Sequence, residues 1–282
     1  MTPCPAHRQV RRCPHAVSSP SSFWRGGTVG ALREGRSPPA PAAAGPGRGR
    51  AAARRFAQEG AEVVITDAHA RRARETAEAM SRDFGREFLG LEVDVRNQEH
   101  VQAMVTTTLE RYGQIDILVN NAGINRLSRV WEMDDETWQL VIDVNLTGTF
   151  RCTRAVLPHM IERRRGSIIN LASVAGWIAS DEGESHYCAA KAGVMGFTRA
   201  VAAEVGPYGV RVNAIAPGLI YNEFLARIYP ADLFEKFKRR VPLGRLGEPA
   251  DVANLILFLA SDLSEYITGE VVCISGGAVV HA

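Results

Sequence analysis

Tyr187 and Lys191 stand four residues apart in the stretch His186-Tyr187-Cys188-Ala189-Ala190-Lys191, and Ser173 lies fourteen residues before the tyrosine. On a helix, positions i and i+4 share a face, so the Lys191 ammonium would sit beside the Tyr187 phenol and favour its phenolate. A phenol with an ordinary pKa of about 10 could then exchange a proton near neutrality. Ser173 follows the strand-like run Ser167 to Leu171, where its hydroxyl could hydrogen-bond a substrate oxygen next to that phenol. The three form a candidate proton-transfer site. Taken alone, Tyr-x-x-x-Lys also reads as an ordinary amphipathic helix face.

The elements that must position these residues alternate in type from residue 51 onward. Ala61 to Thr66, Phe88 to Val93, Ile115 to Val119, Ser167 to Leu171, Val210 to Ile215 and Val271 to Ile274 read as short apolar strands. Helical periodicity falls at about 50–60, 70–84, 97–112, 134–163, 185–206 and 248–260. Short apolar strands alternating with helices predict crossover units on a parallel sheet covered on both faces. The expected fold is α/β, a doubly wound, Rossmann-like parallel sheet in a single domain, residues 37–282, with ligands at the carboxyl ends of its strands. Ser173 and Asn120 fall at such ends.

Composition agrees with one large domain: 282 residues, 46% apolar and 23% charged. The net charge of +2 hides two regions, because residues 1–55 hold ten arginines against one acid, Glu34. Subtracting these from totals of 33 basic and 31 acidic residues leaves 23 and 30, a net of −7 for the body. That excludes reading the chain's basic pI as a nucleic-acid footprint. No apolar run reaches the roughly 18 residues a membrane span needs. The five cysteines make neither a Cys-x-x-Cys pair nor a disulfide framework, which points to a reducing, cytoplasmic setting. The seven histidines show no metal-ligand spacing, so no metal is expected.

Further motifs surround the candidate site in a fixed order: Asn120-Asn121-Ala122-Gly123 after an apolar run, Asn145 in Asp143-Val144-Asn145-Leu146, then Ser173, Tyr187 and Lys191, then Pro217-Gly218. Pro242-Leu243-Gly244-Arg245, Ile267-Thr268-Gly269 and Gly276-Gly277 follow. In this order they resemble the short-chain dehydrogenase/reductase family over most of residues 47–277. The resemblance implies hydride transfer between a nicotinamide cofactor and a secondary alcohol or ketone. It implies a catalytic tetrad of Asn145, Ser173, Tyr187 and Lys191. Asn145 would hold a water linking Lys191 to solvent, and Lys191 would also bond the nicotinamide ribose. Cofactor contacts are implied for Gly47, Gly49, Asp94, Val95, Asn121, Ala122, Gly123, Tyr187, Lys191, Pro217, Gly218 and Asn222. Assembly through the long helices at 134–163 and 185–206 implies a homo-oligomer, a dimer or tetramer.

Asp67, at the end of Val63-Val64-Ile65-Thr66, can accept bonds from a ribose diol and would repel a 2′-phosphate. That favours NAD over NADP. The same aspartate could instead cap the next helix, and Arg71 or Arg72 could turn toward a phosphate.

The phosphate loop departs from the family pattern. Gly47 and Gly49 align with its last two glycines, but Ala43 and Ala42 replace the first glycine and a threonine. Arg48 takes a place usually held by an apolar residue near the nicotinamide, and Pro38, Pro39 and Pro41 occupy the first strand. Proline cannot supply the ladder bonds of a central strand, so the first strand is doubtful. The length is right while the residue types are wrong, which a local shift of reading frame over residues 37–49 would produce. A divergent loop with weakened cofactor binding is the alternative, and with it an inactive scaffold. Residues 1–36 read as a disordered tail or a mistaken start. The segment 220–242, rich in aromatic residues, reads as a substrate lid.

Overall fold

The computed structural model describes residues 47–221 and 231–280. The expected N-terminal tail, the doubtful first strand, the loop as far as Pro46, and lid residues 222–230 with Asn222 lie outside the described residues.

The element order is α1 (Arg48–Gln58), β1 (Val64–Asp67), α2 (Ala70–Phe84), β2 (Leu89–Glu92), α3 (Gln98–Tyr112), β3 (Ile117–Asn120) and α4 (Asp135–Ile142). A π-turn (Asp143–Thr147) then leads into α5 (Gly148–Glu162), β4 (Gly166–Leu171), α6 (Ser185–Val205), β5 (Val210–Pro217), α7 (Ala231–Lys238), α8 (Pro249–Ala260) and β6 (Val271–Ile274). All described strand pairs are parallel. Among the described residues β3, β4, β5 and β6 form one sheet in that order, and β1 pairs with β2. β1 and β3 do not pair with each other.

Alternation along each strand sorts the core into two faces. Ile117, Ile169, Leu171 and Ile215 face Phe56 of α1, Met80 of α2 and Ile256 and Leu259 of α8. Leu118, Ile168 and Val212 face Met104 of α3, Val156 and Met160 of α5 and Val201 of α6. All six β4 residues are buried, as expected of a central strand covered on both sides. This is the doubly wound, Rossmann-like α/β arrangement.

Local signals fix the helix starts. Asn97 accepts from the backbone N–H groups of Glu99 and His100 at α3, and Asp134 accepts from that of Thr137 at α4. At α8 Glu248 and Asp251 form a reciprocal capping box ahead of Pro249. The C-terminal carbonyls of α1 are met from across the fold. Arg86 donates to the carbonyls of Ala57, Gly60 and Ala61, and its guanidinium lies over the Phe88 ring. Arg54, nearly buried, reaches Asp83 of α2 at 2.5 Å.

Several expected boundaries need correction. Residues 61–63, Phe88, Val93, Ile115 and Asp116 are not strand. All but Glu62 are buried, Ala61, Val63, Phe88, Val93 and Ile115 packing in the cores against the helices, and burial alone does not make ladder bonds. The helix expected at 134–163 is interrupted by the π-turn, and α1 starts two residues earlier than its pattern suggested. A helix, Ala231–Lys238, stands within the segment read only as a lid.

Candidate active site

The site is assembled at the carboxyl ends of β3, β4 and β5. β4 ends at Leu171, and Ser173 follows as the residue before a short 3-10 turn, its Oγ accepting from Ala175 N–H at 3.2 Å. Tyr187 and Lys191 lie on the first turns of α6. Lys191 is 3% exposed, and its Nζ donates to the Leu171 carbonyl at 2.6 Å. The same Nζ stands 5.6 Å from the centre of the Tyr187 ring. One backbone carbonyl at a strand end and one helix face therefore place the lysine against the phenol.

Asn145 is fully buried in the π-turn. Its Nδ2 donates to the carbonyls of Val141 at 2.9 Å and Ile124 at 2.8 Å, whereas its Oδ1 has no partner. A Cβ on Gly123 would come within 2.8 Å of that Oδ1 and 3.5 Å of Lys191 Nζ. Only glycine leaves this corner open. π-turns often mark functional positions, and here the turn brings an unpartnered amide oxygen to the same glycine corner as the lysine.

Burial is the largest influence on both titrating groups, and it favours their neutral forms. It pushes the Tyr187 phenol up, while the Arg48 guanidinium and hydrogen bonding with Ser173 pull it back. The same burial pushes Lys191 down to about 7, with Arg48 adding to the fall. The simple expectation that the lysine charge alone frees the phenolate is thereby corrected. In the protein alone burial keeps the phenol raised, because the helix face that Tyr187 and Lys191 share is also an interior face.

The nucleotide side is built from α1 and the turns after β1, β2 and β3. Gly47 precedes α1 at φ 109°, with no side chain capping the helix. Such a conformation suits glycine, and an uncapped N-terminus leaves N–H groups for an anion. A Cβ on Gly49 would come within 2.8 Å of Asn121 Nδ2, and Asn121 Oδ1 is buried without a partner. The open cradle and the orphaned amide oxygen fit a dinucleotide. Ala122 and Gly123 continue this turn as exposed residues. Pro217 closes β5, and Gly218 donates its N–H to the Ile274 carbonyl at 2.9 Å.

Asp67 ends β1, but its Oδ1 already accepts from His69 N–H and from Arg72 Nε and Nη2. It thus closes the turn before α2 without capping that helix, whose N-cap is His69. Asp94 is held by Arg96, which lowers its pKa. Val95 packs against Gly148, where an added Cβ would come within 2.5 Å of it.

Sequence reasoning missed the Leu171 carbonyl, a backbone group with no residue-type signal. Glu184, in the acidic loop just before α6, accepts from Asn125 at 2.7 Å and raises the Tyr187 phenol. Among the described residues no cluster of metal ligands occurs, and no helix is long and apolar enough to cross a membrane.

Comparison with known proteins agrees with this fold. Residues 42–279 match the family model described as enoyl-(acyl carrier protein) reductase. The chain is 44% identical to the BbsD subunit of a hydroxy(phenyl)methyl-succinyl-CoA dehydrogenase of Thauera aromatica, over 84% of this chain and 94% of that protein. It is 42% identical to the 3-oxoacyl-(acyl-carrier-protein) reductase FabG of Thermotoga maritima, over 83% and 94%. The crystal structure of a 3-oxoacyl-(acyl-carrier-protein) reductase from Brucella melitensis superposes with a TM-score of 0.79 at 37% identity, covering 92% of each chain. Another from the same organism, with bound NAD, superposes at 0.77. With its fold, its strand-end site and these relatives in agreement, the chain belongs to the short-chain dehydrogenase/reductase family of oxidoreductases.

Proposed function

We propose that this chain interconverts a secondary alcohol and a ketone, with Tyr187 as acid and base and NAD as the preferred cofactor. The observation that carries the reading is the junction of Tyr187, Lys191 and the Leu171 carbonyl at the end of β4. In alcohol oxidation Tyr187 takes the hydroxyl proton, and in ketone reduction it returns one. Ser173 bonds and orients the substrate oxygen. Lys191, near 7, exchanges protons at neutral pH, and Asn145 Oδ1 accepts from a water or from Lys191. A bound nicotinamide supplies the hydride exchange. Gly47, Gly49, Asn121, Ala122 and Gly123 would hold the cofactor on the α1 and β3 side, Asp67, Asp94 and Val95 on the adenosine side, and Pro217 and Gly218 on the β5 side.

Support for NAD comes from Asp67, whose second carboxylate oxygen makes no bond among the described residues. Arg72 is already committed to Asp67, which reduces its availability to a 2′-phosphate. The named relatives act on acyl groups held as thioesters, so hydroxyacyl and oxoacyl thioesters lead the substrate screen, ahead of free apolar alcohols and ketones. A cytoplasmic homo-oligomer belongs to the same reading. Trp138 and Phe150 are partly exposed on the helices expected to assemble, at 40% and 39%, and light scattering in solution tests it.

A second reading, an inactive scaffold, is favoured by Pro38, Pro39, Pro41 and Ala43 where a strand and a glycine turn are expected. Fluorescence titration of the full chain with NADH and with NADPH separates the two. Saturable binding, tighter for NADH, supports the enzyme. A folded protein that binds neither supports the scaffold. Tyr187→Phe is expected to lower turnover by about a thousandfold while cofactor binding persists, and retained turnover would refute the acid/base role.

A further inference from the structure

Arg48 is the first residue of α1, half-buried, between Gly47 and the Gly49 that closes on Asn121. From Asn121 the turn leads to Gly123, whose Cβ position is 3.5 Å from Lys191 Nζ. The first turn of α1 therefore shares a wall with the catalytic lysine. Among the described residues the Arg48 guanidinium makes no ion pair or hydrogen bond. Its charge is nevertheless felt at both Tyr187 and Lys191. Glu184, the acid felt at the same phenol, is bonded by Asn125.

A guanidinium keeps its charge at any pH the protein survives, so this corner of the site carries a fixed positive charge. The group that exchanges hydride with the substrate must lie within about 3.5 Å of the carbon bearing the oxygen that Tyr187 bonds. Alcohol oxidation moves hydride from that carbon to the nicotinamide and removes the ring's positive charge, while the hydroxyl proton passes to Tyr187. A neighbouring cation therefore discriminates between the two redox forms.

We propose that Arg48 selects the redox state of the cofactor: its guanidinium, unpaired among the described residues and carried on the first turn of α1 beside the Asn121–Gly123 turn, disfavours the positively charged oxidised nicotinamide and makes the chain hold NADH more tightly than NAD+. The proposal rests on the function proposed above. It makes alcohol oxidation, the direction that removes the ring's positive charge, the favoured one on the protein.

The test is calorimetric titration of the full chain and of Arg48→Met and Arg48→Lys with NADH and with NAD+, with circular dichroism confirming the fold of each. The ratio of Kd for NAD+ to Kd for NADH is expected to fall by about tenfold in Arg48→Met and to be kept in Arg48→Lys. A residue that only fills space would change both constants together and leave the ratio alone. An unchanged ratio in Arg48→Met overturns this proposal while leaving the proposed function standing. Binding of neither form by the folded parent chain overturns both.

Discussion

Lys191 Nζ donates to the carbonyl oxygen of Leu171 at 2.6 Å, which joins the first turns of α6 to the end of the central strand β4 through one buried ammonium. The burial of that lysine, rather than the bond, has a thermodynamic signature. In the folded chain Lys191 titrates near 7, whereas an unfolded lysine titrates near 10.5. Between these values the unfolded chain binds more protons, so stability rises with pH across that window. Comparing urea midpoints of the parent and Lys191→Met is expected to show an advantage for the variant that shrinks from pH 7 to pH 9. An advantage that grows with pH would reverse the assigned shift.

Gly123→Ala probes the corner between Asn145 and Lys191. The added methyl would come within 2.8 Å of Asn145 Oδ1, inside contact distance. Because Gly123 is exposed, the fold should survive while nicotinamide affinity falls at least about tenfold. Cofactor titration beside a thermal melt measures the two separately, and undiminished affinity would mean that the corner is not used.

Asn120 donates to Thr153 Oγ1 and to Asn170 Oδ1, and Asn170 donates to Thr198 Oγ1. All four residues are buried, so the chain of bonds ties β3 and β4 to α5 and α6 in a low-dielectric interior. Asn170→Ala removes both its acceptor and its donor and is expected to cost about 2–4 kcal/mol. A double-mutant cycle with Thr198→Val in urea unfolding should give a coupling of about 1 kcal/mol. Strict additivity would show that the bonds are energetically independent.

Arg86→Met keeps the chain's apolar stem over Phe88 but removes the donors to Ala57, Gly60 and Ala61. Leaving those carbonyls without their donor should cost about 1–3 kcal/mol and raise amide hydrogen exchange through α1. If exchange rises evenly over the whole chain, the arginine is not a local lock on that helix.

The arrangement of the candidate site was legible because it is carried by residue type at fixed spacing. Tyr187 and Lys191 share a face of α6, and Ser173 follows β4, as their positions required. Charge balance in the interior was not legible, because it depends on how dry the site is. The desolvation of Tyr187 and Lys191 comes from what packs over them. The π-turn was also hidden, since Asp143-Val144-Asn145-Leu146-Thr147 continues a helical pattern and only hydrogen-bond geometry shows the extra residue. Strand ends at Ala61 to Val63 and at Ile115 were misread because packing against a helix buries a residue as fully as joining a sheet.

Through that π-turn the backbone takes five residues where a regular helical turn would take about four, so α4 and α5 are out of phase across it. Losing one residue between Asp143 and Thr147 would let the two helices merge into a single straight rod. Asn145 would then swing away from Lys191 by about a quarter turn, while every side chain needed for the chemistry remained present. In this stretch a change of length, with no change of character, is enough to take the candidate site apart.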